Sequence, residues 1–476
     1  MRKHIMKYMA CLVMLLTAFA ACSPDSDASD PGSTTNKTYT LHFNLSPVSG
    51  SSASSRAETN TAGSPNSWED GSKEENMKSW TVVFVKPDGT VAKVVKKPSV
   101  EEGKDKEDDV IVTGLEAGTT YTVYSFANIS DADLGTITEG SKPAFESKSF
   151  AVNGNDMDIT KNGIPMSNKQ TVTIGSDGQP DVKQLYVVRM LSKITLKFRN
   201  MTGEDITVNK VSISDITSNP AAGEENVKLL PANNVVSSTN VAQTPNLVEN
   251  AKRDDFTHAI GLRVAKNTPD YDNSRSVSFY VNESKAGNAY PYFVVTLETN
   301  VGSQRYFMYT DWNQMARNDH HVLKLALSDY KLRLKVEDFG SIGSAPSLKD
   351  DGKQLNLIFH DLEEFHIVPS VTKYSNESLS VSFTNLEWKK LSESETGAES
   401  KAFSTIPYIV SSKDRIEAET LGELGKKIGP IIYQLSVKVD DGTTTAPTLV
   451  YRVAISQDLT WYSARRHNGA FWICKQ

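Results

Sequence analysis

The chain has 476 residues, with 51 Lys and Arg against 58 Asp and Glu, for a net charge of −7. That length exceeds what one ordinary core supports, so two or three domains are expected. No basic stripe stands out, which argues against nucleic acid as a partner, and an apolar fraction of 38% scattered in short runs suits a soluble β protein better than a membrane one.

The first residues read as a targeting segment. Arg2, Lys3 and Lys7 precede an apolar run from Met9 to Ala21, too short to span a bilayer comfortably, and the small residues Ala20 and Ala21 stand before Cys22. This resembles a bacterial lipoprotein signal, residues 1–21, with Cys22 lipidated as the mature N-terminus. Phe19 departs from the usual aliphatic residue at that place. An ordinary secretory signal with a chance cysteine is the competing reading. Residues 22–36 open with SPDSDASD, an acidic, flexible tether by composition. The run also resembles the tag that sends lipoproteins of Bacteroides-type bacteria to the outer surface. Of the three cysteines, Cys11 leaves with the signal, Cys22 takes lipid and Cys474 remains. Neither a disulfide within the mature chain nor a thiolate zinc site is then expected.

The first strand is expected over residues 38–46, where Tyr39, Leu41, Phe43 and Leu45 alternate with polar residues. Residues 47–79 are rich in Ser, Thr, Gly and Asn without periodicity, and predict a long loop carrying Arg56–Ala57. Two β-branched runs around Pro87-Asp88-Gly89 predict a hairpin. Gly114 and Gly118 punctuate a further strand pair, and the first domain, 37–175, is expected to close after TVTIG.

A second series, 176–334, begins with Ile194, Leu196 and Phe198 alternating with Lys193, Lys197 and Arg199. Gly203 marks a turn, with Ile206, Val208, Val211 and Ile213 on the return. Residues 215–275, polar and rich in Asn and Pro, predict long loops with short strands. From 335 to 476 a third β-rich domain is expected. One helix is read in its segment SKDRIEAETLGELGKKIGP from the spacing of Ile416, Leu421, Leu424 and Ile428. Many short strands with regular turns predict an all-β protein of antiparallel sandwiches.

No phosphate loop, His-Glu-x-x-His or nucleophile elbow occurs, so an enzyme is not expected and no cofactor is implied. His320 and His321 are adjacent on an expected strand, where neighbours face opposite sides; they read as strand residues, not metal ligands. The carboxylate pairs Asp108-Asp109 and Glu363-Glu364 read as solvated surface.

The lipoprotein-like start, the alternating strand and the Arg in a loop are followed by WTVVFVKPDG, GLEAGTTYTVYSFANIS and IPMS. RMLSKITLKFRNMTG, FYVNES and ARNDHHVLKLAL come next. In this order the segments resemble the fimbrillin family, the lipoprotein pilins of Bacteroidetes type V fimbriae, over roughly residues 1–330; the pattern departs near His321, where Tyr is expected. The resemblance implies tandem transthyretin-like, Greek-key sandwiches on the outer membrane. It implies an Arg-specific surface protease cutting at Arg56–Ala57, loss of the strand bearing Tyr39, Leu41, Phe43 and Leu45, and its replacement by a strand of a neighbouring subunit. Taken without the family, Arg56 is a solvated loop residue open to incidental proteolysis. A third domain exceeds the stalk pattern and suggests a tip or accessory subunit. Its last aromatics and arginines, Trp461, Tyr462, Arg465, Arg466 and Trp472, are a candidate patch for a host or bacterial receptor, with plain core packing as the other reading. The alternatives are a surface glycan-binding lipoprotein and a membrane-retained anchor subunit.

Overall fold

The computed structural model describes residues 37–48, 75–100, 106–153, 162–221, 223–238, 243–287, 292–301, 305–308, 312–338, 346–350, 354–360, 362, 364–423, 425–443, 446–460, 462–467 and 470–475. Among the described residues strands dominate, and helices are confined to short segments such as α1 (Asp131–Leu134) and α2 (Ala398–Ala402).

The first unit contains β1 (Thr38–Pro47), β2 (Trp80–Val85), β3 (Val91–Lys97), β4 (Glu107–Glu116) and β5 (Thr120–Ala127). After them come β6 (Ser149–Phe150), β7 (Met166–Thr173) and β8 (Gln184–Arg189). Seven of these form one sheet, in the order β3-β2-β5-β7-β8-β1-β4. The sheet curls until its ends meet. Lys97 pairs with Glu107 at 2.6 Å, Lys86 with Glu116 at 2.8 Å, and the Trp80 indole donates to Glu107 at 3.2 Å. Leu41, Phe43, Leu45, Val82, Phe84, Val110, Val112, Tyr121, Leu185 and Val187 fill the interior, as alternation on each strand dictates. The β2–β3 hairpin turns as its Pro-Asp-Gly residues demand: Gly89 takes φ +82° and the Asp88 carboxylate caps the Thr90 amide at 2.9 Å. The first sheet extends past residue 175, since β8 completes it.

β9 (Leu191–Asn200) follows β8 directly and opens a second core. It lies between Ser276–Asn282, antiparallel, and His320–Leu327, parallel. The strand Ile206–Thr217 is not its neighbour, although the Gly203 turn suggested a return. It belongs to the facing four-stranded sheet, so the turn crosses between layers. There it pairs with Arg253–Val264, a twelve-residue strand in a stretch expected to be mostly loop. Phe256, Ile260 and Leu262 pack against the core from alternate positions of that strand; its period of two is present but diluted by charged neighbours.

Residues 330–458 form two further sheets around a third core that includes Leu357, Phe359, Phe365, Ile367, Ile416, Ile431, Leu435, Val453 and Ile455. The helix expected around Ile416–Ile428 is not formed. Ile416–Thr420 is a strand, and Lys427 begins another of thirteen residues. Ile416, Ala418 and Thr420 face inward while Leu421 is exposed, so the apolar residues follow the strand period and not a helical face. Gly422 and Gly425, both at positive φ, make the turn between the strands. The helix of this unit is α2, which packs Ala398 and Ala402 into the third core.

Candidate functional site

β1 is an inner strand of the first sheet. It runs antiparallel to β4 from Thr38 to Leu45, with irregularities after Tyr39 and Phe43, and parallel to β8 over Asn44–Pro47. Of the four expected inward residues, Leu41, Phe43 and Leu45 are buried at 5%, 1% and 0% exposure, and Tyr39 packs at the margin. Phe43 meets the Phe84 ring at 5.4 Å between centroids. Tyr39 lies across Gly178, which sits at φ +78° where an added Cβ would overlap the ring. On the outer side His42 pairs with Asp109 at 2.6 Å, both largely exposed.

Withdrawing this strand would uncover three large buried side chains, on the order of 5–9 kcal/mol of apolar burial. It would also leave the facing edges of β4 and β8 without partners, a template for another extended chain. The site is therefore a groove with its own strand lying in it.

Where β1 ends, the chain is held more tightly than its composition suggests. Val48 continues the parallel ladder, its amide donating to the Val187 carbonyl at 2.9 Å, and packs among Tyr186, Val188 and Val235. Glu75, on the far side of residues 49–74, is 2% exposed; its carboxylate accepts from Lys193 Nζ and from the Tyr280 hydroxyl, each at 2.7 Å. Asn128, at φ +57°, grips the following turn through Asn76, Lys78 and Ser79. Residues 47–48 and 75–79, expected within the loop, are thus fixed structure. Arg189 bridges the two ends, donating to the carbonyls of Val48 and Glu75 at 3.2 Å each. None of Val48, Glu75, Arg189 and Asn318 was singled out by periodicity, and Lys193 entered only as an outward residue alternating with Ile194. The available signal was that Arg189, Lys193 and Asn318 lie inside two of the segments that carry the family resemblance.

Among the described residues, the sequence-derived site residues fall on separate elements. Cys22, Arg56 and Ala57 lie outside the described residues, as does Trp461. Tyr462, Arg465, Arg466 and Trp472 fall on a two-stranded hairpin, Tyr462–His467 with Ala470–Lys475, in which Arg465 is the backbone partner of Trp472. His320 and His321 are both buried on one strand; His320 Nε2 lies 2.9 Å from Thr195 Oγ1, and His321 Nε2 lies 3.6 Å from Asp319. No group of three metal-ligating side chains occurs among the described residues.

Residues 40–214 match the family model of the major fimbrial subunit protein, FimA. That span is less than half of the chain, and over it the sequence is similar to the fimbrial subunit family. The match begins within β1 and covers β4 and β8, the strands on either side of it. It is a family of structural fimbrial subunits, not of enzymes. Among solved structures, the tip fimbrial protein Mfa3 of Porphyromonas gingivalis, truncated at its C-terminus, is similar at 13% identity and a TM-score of 0.34, covering 70% of this chain and 100% of that one. A fimbrial assembly protein of Parabacteroides distasonis shows 10% identity and a TM-score of 0.32 over 60% of this chain and 91% of its own. No curated protein matches the sequence. No helix among the described residues is long and apolar enough to cross a membrane.

Proposed function

We propose that this chain is a fimbrillin-family subunit of a cell-surface fimbria, exported as an outer-membrane lipoprotein through Cys22 and activated by an Arg-specific protease that cuts Arg56–Ala57. The first strand, with Tyr39, Leu41, Phe43 and Leu45, then leaves its groove, and a strand of another subunit takes its place. The supporting observation is the position of β1: an inner strand with a buried face, joined to the next strand through the segment that carries Arg56. Head-to-tail insertion of this kind does not close on itself and so builds a filament.

The additional β-rich region, read from the sequence as 335–476 and opened in the structure by the strand from Tyr330, favours a tip or accessory pilin over a stalk subunit. In this reading the terminal hairpin and its neighbour Trp461 face a surface receptor and contribute to adhesion.

N-terminal sequencing and intact mass of the protein recovered in fimbrial fractions test the proposal. An N-terminus at Ala57 is expected. A chain still beginning at lipidated Cys22 would overturn the cleavage step and leave a membrane-retained anchor or a glycan-binding lipoprotein in front.

A further inference from the structure

The groove has a built end. Val48, the residue just beyond β1, is 1% exposed, and its carbonyl is held by two side chains from different parts of the fold. Arg189 Nη1 donates to it at 3.2 Å and Asn318 Nδ2 at 3.4 Å, while Asn318 Oδ1 accepts from the same guanidinium nitrogen at 3.4 Å. Arg189 is 5% and Asn318 0% exposed. Arg189 Nε spends its proton on the Glu75 carbonyl, and the Glu75 carboxylate is fixed in turn by Lys193 and Tyr280. Asn318 is oriented by its own amide, which donates to the Leu191 carbonyl at 2.9 Å, at a backbone φ of +62° that Asn tolerates. Every part of this cluster except Val48 is anchored without help from β1.

The ladder ends on the Val48 amide, which donates to the Val187 carbonyl, and does not use the Val48 carbonyl. Parallel pairing with β8 covers Asn44–Pro47, and the apolar sites repeat every two residues. A strand lacking that carbonyl would fill the apolar sites of the first core but forgo the hydrogen bonds that Arg189 Nη1 and Asn318 Nδ2 give to it, which is costly at a buried site. We infer that Arg189 and Asn318 form a terminal subsite of the groove, one that binds the backbone carbonyl of an extended polypeptide. The aliphatic side chain at that position enters the pocket of Tyr186, Val188 and Val235. The subsite sets the minimum length of any strand the groove accepts. This rests on the strand-exchange reading above, and adds to it a requirement at one atom.

The test uses the mature chain cleaved at Arg56–Ala57 and two labelled peptides read by fluorescence anisotropy. One is residues 37–48 as the C-terminal amide. The other is residues 37–47 capped with isobutylamide, which keeps the amide N–H and branched carbons of Val48 but lacks its carbonyl. The first is expected to bind about tenfold or more tighter, the scale of one hydrogen bond to a charged donor. That difference should shrink in Arg189→Leu and in Asn318→Asp, each of which removes one of the two donors. Arg189→Leu risks misfolding, so the peptide pair on the unsubstituted chain decides. Equal binding of both peptides would overturn the terminal subsite and leave strand exchange standing. Binding of neither would overturn exchange, and the subsite with it.

Discussion

Phe43 shows how unequal neighbouring residues of one strand are. Its ring is 1% exposed against Phe84, whereas His42 beside it lies outside, paired with an exposed Asp109. Truncating a buried Phe costs about 3–5 kcal/mol through lost transfer energy and the cavity left behind. An exposed ion pair is worth at most about 1 kcal/mol. Phe43→Ala should therefore lower the midpoint of thermal unfolding by many degrees, and His42→Ala should barely move it; comparable shifts would show that β1 is not packed as described. The alternation of Tyr39, Leu41, Phe43 and Leu45 was legible because it is a local period of two. The role of Arg189 was not, because an isolated Arg in a strand carries no sign of which carbonyls it will meet.

Among the elements, β5 and β7 are adjacent strands joined on their outer side by Glu146. Its carboxylate accepts from the Tyr124 hydroxyl at 2.8 Å and from Lys169 Nζ at 2.5 Å. Burial pushes the Glu146 carboxyl up, but the hydrogen bonds from Lys169 and Tyr124 outweigh it and hold the group below the usual glutamate value of 4.5. A carboxyl depressed in the folded state contributes stability above its unfolded pKa and loses it as pH falls through the folded one. The unfolding midpoint of Glu146→Gln should thus lie below that of the parent near neutral pH, and the two should converge once pH drops well under 4.5. Parallel curves down to low pH would sink this assignment. The same scale shows where periodicity misleads. Ile416, Leu421, Leu424 and Ile428 satisfy a helical spacing, yet Ile416 and Ala418 are strand residues, and two glycines at positive φ reverse the chain before Lys427. With both templates available, pairing to the neighbouring strands Glu364–Lys373 and Phe403–Ile409 decides.

Across the whole molecule, the first two cores are tied by a fully buried ion pair. Arg317 Nη2 donates to Glu283 at 2.5 Å, with both side chains at 0% exposure, and the guanidinium also holds the carbonyls of Lys228 and Leu229. Leu229 belongs to a cluster with Val83, Phe126 and Phe145 of the first unit. Removing one partner of such a pair leaves an uncompensated buried charge, about 3–5 kcal/mol of destabilisation. Arg317→Met should split or lower the calorimetric transition of the first two cores, and Glu283→Gln added to it should recover part of the loss. The third core meets the second through a small contact of Tyr292 and Val294 with Leu391 and Val450, so its transition should stay in place. A shift of all transitions together would contradict that division.

By itself the sequence determined the all-β class, the first hairpin and the inward face of β1, because each follows from alternation or turn chemistry within a few residues. Only the tertiary structure decided that β1 lies between β4 and β8, that β8 runs parallel to it, and that Val48 and Glu75 end on one arginine. Those are pairings between segments far apart in the chain. They are selected by which edges and buried polar groups remain to be satisfied once the local elements have formed.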